Sequence, residues 1–533
     1  MNQTQVRAIR PAPAVARPAI AAASLALLAG VLVIVLFTAL RSPLKDDIAW
    51  LLYVARRWLA GRELYVDVIE VNPPLIVWIS AIPIRLAGWL NIDAQVTAIL
   101  FFVAIVLGCA WWTASILRRY GGMFADRIPV FAALGTVLLV VPAGDLGQRE
   151  HLLVAAILPY LALFARTLAG ERQPRATAIA AGMLAGLGCA LKPRYAGVFV
   201  VLECVSLAHG IWPWRPKPLA AAVAMAGYAV AVAWLCPAYL RRAVPLALAL
   251  YGGTDVPFFQ LVLDSERLLF GEAAAALLLV WAWRRHLPER SLLLTLVVFS
   301  ATSTAICFID GKDWFYHRLP ATVVTILALL LWAASVLYHR RAVTARTLTS
   351  RAFTPMLLAA IAGLVLTVGA FQRLEPEVAL AVEPQDSTVA RLERLIRAQH
   401  AHTYIAFSEW IALGFPVVNS TGVAWTSRFD SMWALKGELW RVRFDPAAAK
   451  EWPVRRWVVH DFITGCPDIA VVDVRDGANW IGVLTASDPS FARAWSQYKQ
   501  IDAFDGLQVY RHAAQGCITP WIAAGQRSGV GAN

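Results

Sequence analysis

Charge is scarce in this chain of 533 residues: Asp, Glu, Lys and Arg make up 16%, while 59% is hydrophobic. A soluble domain usually carries about 25% charged residues, so a purely soluble protein is excluded. Cysteine is also sparse, at seven, and no spacing resembles a zinc site. Internal repeats and low-complexity tracts are absent, and with them the usual sequence mark of a repeat-built transporter. No small-x-small cleavage site follows the first apolar run, residues 18–40. That run exceeds a signal-peptide core, so it reads as an uncleaved first helix behind the basic Arg7, Arg10 and Arg17.

What the chain does have is long apolar runs. About eleven are near the length that crosses a bilayer: residues 18–40, 94–117, 128–142, 151–168, 177–191, 196–211, 219–236, 273–283, 292–309, 319–338 and 353–371. The net charge of +13 would suit nucleic acid, but the arginines sit in short clusters between runs. Arg118/Arg119/Arg127, Arg166/Arg172/Arg175 and Arg284/Arg285/Arg290 are examples. That is the positive-inside pattern, so no nucleic-acid partner is expected. The pattern survives only if Pro74–Leu90, with Pro83 and Arg85, lies on the outer surface. The N-terminus is then cytoplasmic, and residues 41–93, the 237–272 loop and everything after Gln372 lie outside.

The fold expected is an α-helical polytopic membrane protein, 1–372, with a small C-terminal α/β domain, 373–533. In the latter "RRWVVH" and "PDIAVVDV" read as strands, and "DSTVARLERLIRAQH" as a helix capped at Asp386/Ser387. Cys466 and Cys517 are either bridged, worth about 4 kcal/mol by chain entropy, or two free thiols.

The stretch "KDDIAWLLYVARRWLAGRELYVDVIEVNPPLIVWIS" follows the first apolar run. Asp46 can cap a helix to Leu59, ended by Gly61, whose apolar face of Ile48, Leu51, Leu52, Ala55 and Leu59 would lie in the membrane interface. A second surface helix opens after the double proline. Spacing alone leaves Asp46 and Asp47 evenly between helix-start acids and a reactive pair. "GDLGQREH" gathers Asp145, Arg149, Glu150 and His151, equally an ordinary solvated turn. "ALKPRYAG" places Lys192 and Arg194 between two runs, where they either snorkel or bind an anion. "DGKDWFYHRLPA" holds Asp310, Lys312, Asp313, His317 and Arg318 among aromatics, as an interfacial belt also would.

The acid pair, "LLYVARRWLAGRELYVDV" and "NPPLIVWISAIP" together resemble the first outer loop of the GT-C glycosyltransferases. The nearest branch is that of protein O-mannosyltransferases and aminoarabinose transferases. The family pair is often Asp-Glu, whereas here it is Asp46-Asp47, so which acid works stays open. The resemblance implies an inverting glycosyltransferase with a polyprenyl-phosphate sugar donor and an envelope glycan, lipid or protein acceptor. It implies Asp46 or Asp47 as base, and Lys192, Arg194, Arg149, His317 and Arg318 around the donor phosphate. It also suggests a second acidic site at Asp145 or Glu150. A divalent cation is left open. The implied place is a bacterial inner membrane with the C-terminal domain periplasmic. A glycan ligase or polymerase of related fold is the first alternative, and a transporter or lipid flippase the second.

Overall fold

The computed structural model describes residues 16–338, 350–475 and 477–513. Its larger part is a helical bundle. In chain order the helices are α1 (Ala16–Arg41), α2 (Asp46–Leu59), α3 (Pro74–Leu90), α4 (Ala94–Leu117), α5 (Arg127–Val140), α6 (Arg149–Leu168) and α7 (Arg175–Ala190). They continue as α8 (Ala196–Ala208), α9 (Pro216–Leu235), α10 (Val244–Leu250), α11 (Phe258–Asp264), α12 (Glu266–Arg284), α13 (Arg290–Asp310), α14 (Phe315–Tyr338) and α15 (Ser350–Val382). Every apolar run read from the sequence forms a helix over most of its length, though those at 128–142, 177–191, 196–211 and 219–236 run past the helix ends. Seven described helices are long and apolar enough to cross a membrane, and α3, α5 and α7 are shorter apolar helices. The chain is a multi-pass membrane protein.

Close packing inside the bundle rests on small residues. A Cβ on Gly182 of α7 would stand 2.3 Å from the Lys217 carbonyl oxygen, and one on Gly186 2.5 Å from that of Ala221. Only glycine lets α7 and α9 approach so closely, as small residues do between membrane helices.

The helix carrying Gln372 runs on to Val382, and the sheet-bearing unit follows it. There α16 (Thr388–Ala398) is capped by Ser387, whose Oγ accepts the Ala390 N–H at 3.1 Å. Five strands are ordered β2-β1-β3-β5-β4: β1 (Thr403–Phe407), β2 (Ala424–Trp425), β3 (Ile469–Asp473), β4 (Tyr498–Phe504) and β5 (Leu507–His512). β1 pairs parallel with β2 and β3, while β5 runs antiparallel to β3 and β4. β1 and β3 are buried along their whole length, which suits continuous apolar strands covered on both faces.

"PDIAVVDV" is a strand as expected, but "RRWVVH" is not: it lies in a helix, Val454–Gly465. Val454, Val458 and Phe462 recur on its buried side, a helical spacing that its short β-branched run disguised. Cys466 is disulfide-bonded, and Cys517 lies outside the described residues.

The two units grip α2 between them. Trp50 and Tyr53 meet the Phe415 ring at 4.9 and 5.0 Å, and Asn419 Nδ2 donates to the Ala49 carbonyl at 3.0 Å. Ile48, Leu51, Leu52 and Ala55 are buried, but so are Ala49, Trp50 and Val54. The helix is therefore covered by protein on most sides, rather than lying in the interface with one face in lipid. At the end of α3, Trp89 is 79% exposed.

Candidate active site

Asp46 and Asp47 part company at the start of α2. Lys45, not Asp46, occupies the cap position. Asp46 Oδ1 accepts the Asp47 backbone N–H at 2.9 Å and lies 3.5 Å from Lys45 Nζ. Asp47 instead accepts Gln148 Nε2 at 2.9 Å through its Oδ2. Burial, then the charge of Asp46, pushes its carboxyl up to about 7, against the opposing pull of Arg149, Lys45 and Gln148. A half-buried carboxyl with that affinity can take a proton near neutral pH.

The turn that delivers Gln148 is built on Gly147, at φ +95°, where a Cβ would meet the Phe102 ring at 2.6 Å. A side chain there is both strained and blocked. His151 braces the same turn: its Nδ1 accepts the Gly147 N–H at 3.1 Å, and its Nε2 reaches the Leu138 carbonyl at 2.8 Å. With both ring nitrogens so engaged and the ring fully buried, His151 holds structure.

Arg149, whose charge acts on Asp47, lines a cavity of about 380 Å³ together with Lys192, Arg194, Lys312 and His317, and with Asp255 and Asp310. Leu248 and Ile309, 78% and 75% exposed, form its apolar lip. Lys192 Nζ lies 2.7 Å from Asp310 Oδ2, 2.9 Å from Glu150 Oε1 and 3.0 Å from His317 Nδ1. Arg194 pairs with the other Asp310 oxygen. Arg149 donates to the Asn72 side-chain oxygen and lies 3.8 Å from Glu150. Lys312 donates to the Tyr251 carbonyl at 2.8 Å and pairs with Asp255. Cations thus outnumber acids among the residues lining this opening. Arg149 Nε, Gln148 Oε1 and Glu150 Oε2 are buried without partners, an uncommon density of unmet polar atoms for one place.

The cavity brings together Lys192, Arg194, Arg149 and His317 but not Arg318. Successive helical residues point about 100° apart, and Arg318 turns to donate to the carbonyls of Asp264 and Asp313. The expected second acidic site also divides. Glu150 is the buried counter-ion of Lys192, whereas Asp145 pairs with Arg373 at 3.0 Å. Burial holds the Asp145 carboxyl above its usual range, opposed by Lys45 and Arg373.

Several residues here were not picked out from the sequence. Glu70 is buried; Trp50 Nε1 donates to its Oε2, and the Asn72 N–H to its Oε1 at 2.6 Å. Asp430, from the sheet-bearing unit, accepts Trp433 Nε1 at 2.8 Å. Burial, then Glu70 and Asp47, raises its carboxyl well above the usual range. The Ile69 N–H to Arg428 carbonyl bond, 2.8 Å, ties this segment to the first loop. No local signal marks Asp430; only the tertiary fold brings it near. Among the described residues no group of three or more His, Cys, Asp or Glu side chains is placed to hold a metal ion.

No family model matches the chain, and no curated protein matches it by sequence. Solved structures do. The chain is similar to ArnT from Cupriavidus metallidurans, solved bound to undecaprenyl phosphate, with 14% identity and a TM-score of 0.53 over 92% of this chain and 98% of that one. It is also similar to the Archaeoglobus fulgidus oligosaccharyltransferase tethered with an acceptor peptide, at 13% identity and TM-score 0.44, over 90% and 72%. The first likeness, across nearly all of both chains, shows a shared fold.

Proposed function

We propose that this chain is a glycosyltransferase that moves a sugar from a polyprenyl-phosphate donor to a hydroxyl acceptor in the cell envelope. The observation that carries the reading is the charge of Arg149 acting on Asp47 from a cation-lined cavity whose lip, Leu248 and Ile309, is apolar and exposed. A lipid-linked donor has both an anion and a long apolar tail, and the cavity offers a surface for each.

In the reaction, Asp47 takes the proton from the acceptor hydroxyl as its oxygen attacks the anomeric carbon. The bond from that carbon to the phosphate oxygen breaks, and the lipid phosphate leaves with the electron pair. Arg149, Lys192 and Arg194 meet the charge that develops there, and attack opposite the leaving group inverts the anomeric centre. Lys192 is fixed by Glu150 and Asp310, so its ammonium needs little reorganisation. No step is routed through a metal ion. The C-terminal unit and the site lie on the periplasmic face of an inner membrane, with the N-terminus cytoplasmic.

Donor binding tests this directly. Undecaprenyl phosphate added to the purified chain should raise its melting temperature, and Lys192→Met should weaken that binding about ten-fold or more, as expected for a lost charged hydrogen bond. Unaltered binding in Lys192→Met and Arg149→Gln alike would remove the phosphate from this cavity.

A further inference from the structure

A second basic pocket, of about 260 Å³, opens between α11, α12, α14 and α15. It shares no lining residue with the first. α14 serves both, giving His317 to one and Arg318 to the other. Three guanidiniums line the second pocket, Arg267, Arg318 and Arg373, with one acid, Asp264.

Their pairing is incomplete. Arg373 shares charge with Asp145. Arg318 donates only to backbone carbonyls, and Arg267 donates to the neutral Gln372 side chain at 2.9 Å. Neither Arg267 nor Arg318 therefore meets a carboxylate among the described residues. The Nε atoms of Arg318 and Arg373 are buried and without acceptors. Like charges held together with unmet donors call for an anion, and the planar guanidinium fork suits phosphate. The rest of the wall is apolar, with Leu268 and Leu366 lining it. Just outside, Leu364 and Phe371 are 64% and 57% exposed on the bundle surface.

We propose that this pocket holds the phosphate headgroup of a second membrane lipid, whose chains lie along α12 and α15. The site is separate from the donor cavity and does not depend on the transferase reading. A phosphate alone would satisfy the arginines but leave the apolar wall uncovered. A neutral lipid would do the reverse.

Native mass spectrometry of the full chain in detergent tests it, with short-chain phosphatidic acid, short-chain diacylglycerol and inorganic phosphate as probes. The parent should retain phosphatidic acid and not diacylglycerol. Arg267→Ala should retain one phosphatidic acid fewer than the parent, its affinity there falling about ten-fold, with unchanged melting because Arg267 is exposed. Arg318→Lys, which keeps the charge, should retain part of the binding. Arg194→Ala, in the other cavity, should leave this lipid in place. Equal uptake by the parent and Arg267→Ala would overturn the proposal, as would equal retention of diacylglycerol. Retention of inorganic phosphate with no lipid adduct would also overturn it.

Discussion

Asp46 and Asp47 are adjacent in the chain yet serve different neighbours. Asp46 faces Lys45, while Asp47 meets Gln148 in the turn that leads to the cation-lined cavity. With its carboxyl near 7, Asp47 is ionised above that pH and protonated below it. If Asp47 is the base, kcat/KM falls about ten-fold per pH unit below 7 and levels off above it; a pH profile with a fixed donor reads this. Asp46 raises the Asp47 affinity by like charge. Asp46→Asn should therefore move the acidic limb to lower pH while keeping transfer, an effect that a mere helix cap would not produce. This division was not legible in the sequence, because both acids suit the start of a helix equally well. The short motifs did announce Lys192, Arg194, Arg149 and His317, whose charge is conspicuous beside apolar runs. Glu70 and Asp430 were not announced, because a lone acid in a polar stretch carries no signal until the chain folds.

At the level of elements, periodicity and punctuation located most of what forms. α2 ends at Leu59 and α3 begins at Pro74, as the glycine and double proline indicate. The surroundings of α2 were beyond such reading: an amphipathic helix looks the same whether its partner is lipid or the Phe415 side of another unit. The Val454–Gly465 helix was missed because a short run of tryptophan and valine fits either period. The glycines of α7 are a further case, since their spacing gives no hint of their partner. Gly186→Leu would drive side-chain atoms into the backbone of α9. The expected cost is about 1–3 kcal/mol from overpacking, visible as a lower melting temperature of the detergent-solubilised chain. An unchanged melting temperature would mean that α7 and α9 can separate without penalty.

Across the whole molecule, the bundle and the sheet-bearing unit enclose the first loop. Asp47 begins in the bundle's loop, Gln148 and Arg149 come from the start of α6, and Asp430 approaches from the far unit. This arrangement explains why a loop just beyond the first helix carries buried acids: it is the seam between the two units. The central claim is that Asp47 at this seam activates an acceptor for sugar transfer. Its most direct test is membrane-based transfer of label from a panel of polyprenyl-phosphate sugars by the parent, Asp47→Asn and Asp46→Asn. The account predicts transfer by the parent from at least one donor, a loss of about 10²–10⁴-fold in Asp47→Asn, and retained transfer in Asp46→Asn. Equal transfer by Asp47→Asn and the parent would contradict it.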